Sequence, residues 1–243
     1  MLFRTAMIAL LAAGCATADQ VQSLEEKIDE LEIKVAKLEE RSAAAPAAAA
    51  GPSADEEAAA QKMYEEVASL VQAGKMSEAK AQITDMEKKY SNTRIWRRAR
   101  KMAQELEVIG KKAPDALAVE KWFNNQANIN FASSEPTLIV FWEQWCPHCK
   151  REVPKLQETY SKYNPQGLQM VGLTKVTRSS TDDSVAEFIQ EKSVSYPIAK
   201  ESGDMSAHFN VSGIPAAAVV KDGEIIWRGH PARLTDEMIQ GWL

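Results

Sequence analysis

The feature that most constrains this chain is the segment Cys146-Pro147-His148-Cys149, which closely follows an apolar, β-branched run at residues 137–142. A short apolar run of this kind predicts a buried strand. Two thiols three residues apart at the start of a helix can form a disulfide and reopen it. Because helix-terminal N–H groups face the first thiol, its thiolate is stabilised. A strand that leads into a C-x-x-C opening a helix therefore predicts a redox-active cysteine pair.

The third cysteine, Cys15, ends an N-terminal segment with a short positive start and an apolar stretch too short to span a bilayer. Small residues precede Cys15, and the segment resembles the lipobox of bacterial lipoproteins. The resemblance implies a signal peptide at 1–14, lipidation of Cys15, a mature N-terminus at 15–19 and attachment to a membrane. The alternative is an ordinary secretory signal in which Cys15 is incidental. Both interpretations export the protein.

Residue 16 bears on the destination of an exported lipoprotein. Ala16, rather than Asp, follows Cys15. In enterobacterial lipoproteins this choice favours the outer membrane. The expected location is therefore the cell envelope, on the periplasmic side of a bacterial membrane, with the outer membrane favoured.

Residues 20–41 carry a heptad repeat with apolar residues at positions a and d and opposite charges at positions e and g. The a and d positions are Val21, Leu24, Ile28, Leu31, Val35 and Leu38. The apolar seam and its flanking charges both predict a parallel, self-associating coiled coil, so we expect a homo-oligomer. The alternative, a solitary solvated helix, would leave this seam exposed to water.

Two further segments separate the heptads from the cysteine pair. The Ala/Pro-rich residues 42–54 offer almost no core-forming side chains and read as a linker. Residues 55–112 show apolar faces at helical spacing and resemble a single tetratricopeptide-type hairpin with a following helix. A helical spacer is favoured over a peptide-binding repeat. The order of lipobox, coiled coil, linker and hairpin also resembles CpoB/YbgF-type periplasmic proteins.

Residues 113–243 alternate between strand and helix patterns, so the fold class is α/β. The predicted order is β-α-β-α-β-β-α, which is that of a thioredoxin fold. The predicted strands are 137–142, 168–173, 216–220 and 224–228, and the predicted helices are 147–163 with Pro154 interrupting it, 182–192, 204–209 and 235–242.

The cysteine segment, read from Phe141-Trp142 through Cys146-Pro147-x-Cys149 to Leu156, resembles that of TlpA/ResA-type thioredoxin-like proteins. Val211-x-Gly213-Ile214-Pro215 resembles the loop in which this family has a cis-proline. The resemblance covers roughly half of the chain. It implies that Cys146 is the nucleophile, that Cys149 resolves the mixed disulfide, and that Pro215 lies beside Cys146.

The direction of electron flow stays open at this point. A cationic His148 would lower the pKa of the first thiol and make the pair more oxidising. C-P-H-C is also the motif of DsbA-type oxidases, whereas the TlpA/ResA resemblance points towards reduction. Many thioredoxins carry a buried acid at the position of Val140, and here Glu143 is the nearest acid.

The C-x-x-C motif has two alternative roles, which are a zinc site and a structural disulfide. Zinc requires four ligands, and outside the motif the chain offers only His208 and His230, neither of them in a paired ligand motif. A structural disulfide is the other alternative. The net charge of −5 gives no basic patch typical of nucleic-acid binding. No bound cofactor is expected, because the Cys146–Cys149 pair is itself the redox centre.

We therefore predict an exported, membrane-anchored oxidoreductase that exchanges disulfides with the thiols of other proteins. Two alternatives remain. An oligomer that presents several reduced active sites could act as a disulfide isomerase. A non-enzymatic envelope scaffold could instead use the coiled coil and the helical segment to hold partners.

Overall fold

The computed structural model describes residues 18–44 and 51–243, with side chains described at 22–37 and 51–243. The chain divides into two compact units, one that ends at Gly51 and one that spans Pro52–Leu243. The predicted signal peptide at 1–14 and Cys15 lie outside the described residues, so both stay predictions. None of the described helices combines the length and apolar composition that a membrane span needs.

Helix α1, Ala18–Ala44, contains the heptads at 20–41. Its seam faces solvent in the single chain, since Leu24, Leu31 and Val35 are 50%, 59% and 52% exposed. Lys34 pairs with Glu30 of the same helix at 2.7 Å. Pairing between chains stays a prediction. The helix also runs three residues into the predicted linker, of which residues 45–50 lie outside the described part.

Three helices open the second unit: α2, Ala54–Gln72; α3, Met76–Tyr90; and α4, Arg94–Glu107. Their starts follow from local sequence. Ser53 and Glu56 form a capping box at α2, and the Thr93 hydroxyl caps α4 by accepting from the N–H of Trp96. The predicted helical character of this segment is confirmed. Its helices bury one apolar face each, and these faces join the core of the following sheet.

The remaining elements alternate between strands and helices. They are β1 (Lys121–Trp122), β2 (Thr137–Trp142), α5 (Pro147–Tyr163), β3 (Gln169–Thr174), α6 (Asp182–Glu191), β4 (Ile198–Lys200), α7 (Asp204–His208), β5 (Ala216–Lys221), β6 (Glu224–Gly229) and α8 (Asp236–Trp242). Short 3₁₀ turns at Asn164–Gln166 and Pro231–Arg233 follow α5 and β6. The predicted α/β class and thioredoxin order are confirmed, and β1 and β4 are additions to it.

The described strands form one six-stranded sheet in the order β1-β4-β3-β2-β5-β6. The central strand β2 is buried along its whole length. It pairs in parallel with β3, from Thr137 opposite Gln169 to Trp142 opposite Thr174, and antiparallel with β5. Consequently, the C-terminal ends of β2 and β3 and the N-terminal end of β5 meet at one edge of the sheet.

The centre of the sheet leaves little room for extra atoms. A side chain on Gly172 in β3 would begin 3.1 Å from the ring of Tyr196 and 3.2 Å from the indole nitrogen of Trp142. Glycine at this position therefore lets two buried aromatic side chains pack against the strand.

Helix α5 is continuous across Pro154, where the sequence predicted an interruption.

Candidate active site

Cys146 lies at the sheet edge where β2 ends and α5 begins. It is the N-cap residue of α5, and its Sγ accepts from the backbone N–H of Cys149 at 3.5 Å. Pro147 occupies the first turn, where its missing N–H removes no helical hydrogen bond. The N-cap position sets the thiol against the positive end of the helix dipole. Cys146 is only 5% exposed.

Cys149 lies one turn further along α5 and is fully buried. Burial raises the pKa of this thiol well above its ordinary value, and the adjoining Cys146 thiol and the negative charge of Glu143 raise it further. The second thiol is therefore held protonated, whereas the first lies at a helix terminus. Cys146 and Cys149 are both free thiols in the structure.

The loop before β5 approaches the same sulfur. Its Ile214–Pro215 peptide bond is cis, and the Ile214 carbonyl oxygen lies 3.9 Å from Cys146 Sγ. The structure thus brings Pro215 beside Cys146, where the sequence resemblance expected it. An exposed backbone segment next to a reactive sulfur suits an extended polypeptide, which can pair with it along the main chain.

His148 is exposed, and its ring contacts Arg151. The Arg151 guanidinium lies 2.7 Å from His148 Nδ1. Because a guanidinium can only donate, Nδ1 is the acceptor of this bond. Arg151 therefore places a positive charge next to the His148 ring, and the role expected of His148 stays a prediction.

Trp145 stands on the other side of Cys146 and is held by a network that the sequence did not reveal. Its indole N–H donates to the Glu143 carboxylate at 2.6 Å, and the Thr177 hydroxyl donates to the same oxygen. The guanidinium of Arg178 lies 3.7 Å from the centroid of the Trp145 ring. Glu143 itself is 7% exposed, whereas Trp145 is half-buried and Thr177 is exposed. Of the residues in this network, the sequence analysis named only Glu143, as the acid nearest to the cysteine pair.

Metal binding requires a cluster of ligands. Within residues 18–44 and 51–243, no group of three or more His, Cys, Asp or Glu side chains is arranged to hold a metal ion. The two histidines outside the motif have other contacts. His208 Nε2 lies 2.9 Å from the Lys112 carbonyl, and His230 caps the turn at Pro231–Arg233.

The fold and the site together define the class of protein: a thioredoxin-like protein with a two-cysteine redox site. Comparison with known proteins agrees with this class. Residues 109–228 match the sequence profile of the AhpC/TSA family.

Relatives with similar sequences are named thiol-disulfide oxidoreductases. Sporulation thiol-disulfide oxidoreductase A of Bacillus subtilis (strain 168) is 25% identical over 109 residues, which span 44% of this chain and 66% of that protein. The thiol-disulfide oxidoreductase ResA of Bacillus thuringiensis (strain Al Hakam) is 26% identical over 137 residues, 56% of this chain and 76% of that protein. The crystal structure of StoA from Bacillus subtilis is also similar, with 25% identity, a TM-score of 0.44, and coverage of 53% of this chain and 98% of that one.

The C-terminal half of the chain therefore has a thioredoxin-like fold, and residues 109–228 within it are similar to the AhpC/TSA family. Its site and its relatives indicate a protein-disulfide oxidoreductase with protein thiols as substrates. The N-terminal helices, up to residue 107, lie outside the family match.

Proposed function

We propose that this protein exchanges disulfides with other proteins of the cell envelope through Cys146 and Cys149. One observation carries the proposal. The two thiols have opposite environments, with Cys146 at the α5 terminus beside the cis-proline loop and Cys149 buried beneath it. That asymmetry supports Cys146 as the attacking thiol and Cys149 as the resolving thiol.

The two thiols, Cys146 and Cys149, can carry out the exchange without a further oxidant or reductant. The Cys146 thiolate attacks a substrate disulfide, forms a mixed disulfide and releases one substrate sulfur as a thiolate. Cys149 then loses its proton and attacks the Cys146 sulfur, which releases the second substrate thiol and leaves a Cys146–Cys149 disulfide. Two electrons pass from the pair to the substrate. The reverse sequence oxidises a substrate dithiol, so the reduction potential of the pair and of its partners sets the direction.

The proposed location and the proposed membrane anchor of the protein are argued from the sequence alone. The lipobox-like segment before Cys15 supports export, lipidation at Cys15 and attachment to a membrane on its periplasmic side, with the outer membrane favoured by Ala16. An oxidising compartment is also where a disulfide-exchanging protein meets its substrates. Metabolic labelling with a radioactive fatty acid tests the anchor: we expect label in the full chain and none in Cys15→Ser.

The roles of the two thiols are tested by trapping. Cys15→Ser/Cys149→Ser and Cys15→Ser/Cys146→Ser each keep one thiol, and each is mixed with insulin as a disulfide-containing probe. On a non-reducing gel, the variant that keeps Cys146 should accumulate a covalent adduct. The variant that keeps only the buried Cys149 should give almost none. Equal adducts from the two variants would refute the assignment.

A disulfide isomerase is a second candidate, favoured by the exposed apolar seam of α1. If α1 joins two or more chains, several reduced sites face one substrate, as reshuffling of wrong disulfides requires. Deletion of residues 20–41 should then abolish the rescue of scrambled ribonuclease while insulin reduction persists. The scaffold alternative makes a different prediction, since a Cys146→Ala/Cys149→Ala strain would keep the phenotype of the wild type.

A further inference from the structure

Helix α4, which lies outside the family match, is joined by hydrogen bonds and an ion pair to the segments before the cis-proline loop and after β6. The Asn210 side-chain amide donates to the Gln104 carbonyl at 3.0 Å and faces the Glu107 carboxylate at 3.4 Å. Arg233, in the turn after β6, pairs with the buried Glu105 at 3.1 Å. Asn210 immediately precedes the cis-proline loop at 211–215. These bonds therefore fix the position of α4 relative to the loop that approaches Cys146.

This attachment brings a lysine to the cis-proline loop. Lys101 is exposed and lies one turn before Glu105 on α4. Its ammonium group is 4.0 Å from the point where a side chain on Gly213 would begin. Gly213 directly precedes Ile214, whose carbonyl oxygen is 3.9 Å from Cys146 Sγ. A polypeptide that pairs with the cis-proline loop would consequently pass beside the Lys101 ammonium.

A second exposed cation lies on the opposite side of Cys146. In the sheet, β2 lies between β3 and β5, so the loop after β3 and the loop before β5 flank the end of β2 on its two sides. The loop after β3 carries Arg178, whose guanidinium stacks on Trp145, the residue before Cys146. Trp145 and Thr177, the residue before Arg178, both donate to the Glu143 carboxylate. These two hydrogen bonds hold Trp145 and Arg178 in their stacked position.

Three carboxylates of this region pair with cations: Glu105 with Arg233, Glu152 with Lys155 at 3.0 Å, and Glu107 with Lys111. Glu143 is buried, keeps its charge and accepts from Trp145 and Thr177. Lys101, Arg151 and Arg178 are exposed and give the solvent-facing rim of the site a positive charge, within a chain whose net charge is −5. A local field of this sign attracts acidic segments and repels basic ones.

We propose that the surface around Cys146 is a cationic cleft that selects acidic, extended polypeptide segments carrying the disulfide, with Lys101 of α4 and Arg178 contacting the segment on its two sides. This inference rests on the proposed function and names its substrate class. It also gives α4 a role in substrate selection.

The test compares three peptides that share one internal disulfide and differ only in flanking residues, which are Glu, Ser or Lys. The full-length protein is reduced, and the second-order rate constant of peptide reduction is measured by tryptophan fluorescence in stopped flow. At low salt, we expect the Glu-flanked peptide to react about tenfold faster than the Lys-flanked one, and the ratio to approach one in 0.5 M NaCl.

Charge-reversal variants distinguish the effect of the two cations beside Cys146 from the effect of the overall net charge. Lys101→Glu/Arg178→Glu should invert the peptide preference. The matched control Lys62→Glu/Lys88→Glu makes the same change in net charge on α2 and α3 and should keep the preference of the wild type.

Four results would overturn the proposal. Equal rates for the Glu- and Lys-flanked peptides with the wild type would refute the cationic cleft. An unchanged preference in Lys101→Glu/Arg178→Glu, or a change of the same size in the control, would refute the role of the two named residues. A wild type that neither reduces the three peptide disulfides nor, in its oxidised form, oxidises the matching peptide dithiols would refute the proposed function itself, and with it this inference.

Discussion

The buried state of Cys149 makes the stability of the reduced protein depend on pH. Because the pKa of this thiol is raised in the folded chain, the folded state keeps its proton after the unfolded chain has begun to release one from a thiol with an ordinary pKa of 9.0. The unfolded state then binds fewer protons than the folded state, so the free energy of unfolding falls as pH rises. This contribution is fully present at neutral pH and is lost through the alkaline range.

The loss has a definite size, because it equals RT ln(1 + 10^(pH − pKa)) with the pKa of the unfolded thiol. Relative to neutral pH it amounts to about 0.4 kcal/mol at pH 9 and about 1.4 kcal/mol at pH 10, where one proton contributes roughly 1.4 kcal/mol for each pH unit. The folded thiol stays protonated over this range, since burial holds its pKa above it.

Urea unfolding of two variants isolates this effect. Cys146→Ala keeps Cys149, and Cys146→Ala/Cys149→Ala lacks it, so neither can form the active-site disulfide. Burial also raises the pKa of Tyr196 and Tyr163, but both variants contain these tyrosines and their contributions cancel. The cavity left by the second alanine shifts stability by a constant amount. We expect the difference in unfolding free energy between the variants to change by about 1.4 kcal/mol from pH 7 to pH 10. A difference that stays constant over this range would refute the claim that the fold holds Cys149 protonated.

Two further predictions concern the rim and the N-terminal helix. Arg151→Ala should make the Cys146–Cys149 couple more reducing than His148→Ala does, because the Arg151 guanidinium carries a permanent positive charge at the start of α5. Equilibration with glutathione measures both, and an equal or larger effect of His148→Ala would contradict it. Deletion of residues 20–41 should convert an oligomer into a monomer in sedimentation velocity, because it removes the apolar seam of α1. A full-length, delipidated protein that sediments as a monomer would contradict the coiled coil.

The parts of the fold that the sequence predicted are those set by local patterns. The apolar run of β2, the helix that begins after Cys146 and the strand pair β5 and β6 each follow from a local pattern, and the structure has these elements where they were expected. Strands β1 and β4 were missed because they contain two and three residues and depend on pairing with each other and with β3.

The environment of the site depended on contacts between distant residues. Trp145 meets Thr177 across 32 residues, and Asn210 meets Gln104 across 106. No pattern along the chain indicates that Lys101 would lie beside Gly213. The contact between His148 and Arg151 was missed for a related reason, since it depends on the direction of the Arg151 side chain, which residue spacing does not determine.

The central claim, that Cys146 and Cys149 form one redox couple, is tested most directly by equilibrating the full-length Cys15→Ser protein with glutathione buffers of varied ratio. The thiols are then alkylated, and the products are identified by mass spectrometry. We predict a single two-electron transition between a dithiol form and a form with an internal Cys146–Cys149 disulfide. A protein that forms no internal disulfide at any ratio, or that accumulates only glutathione adducts on Cys146, would contradict the account.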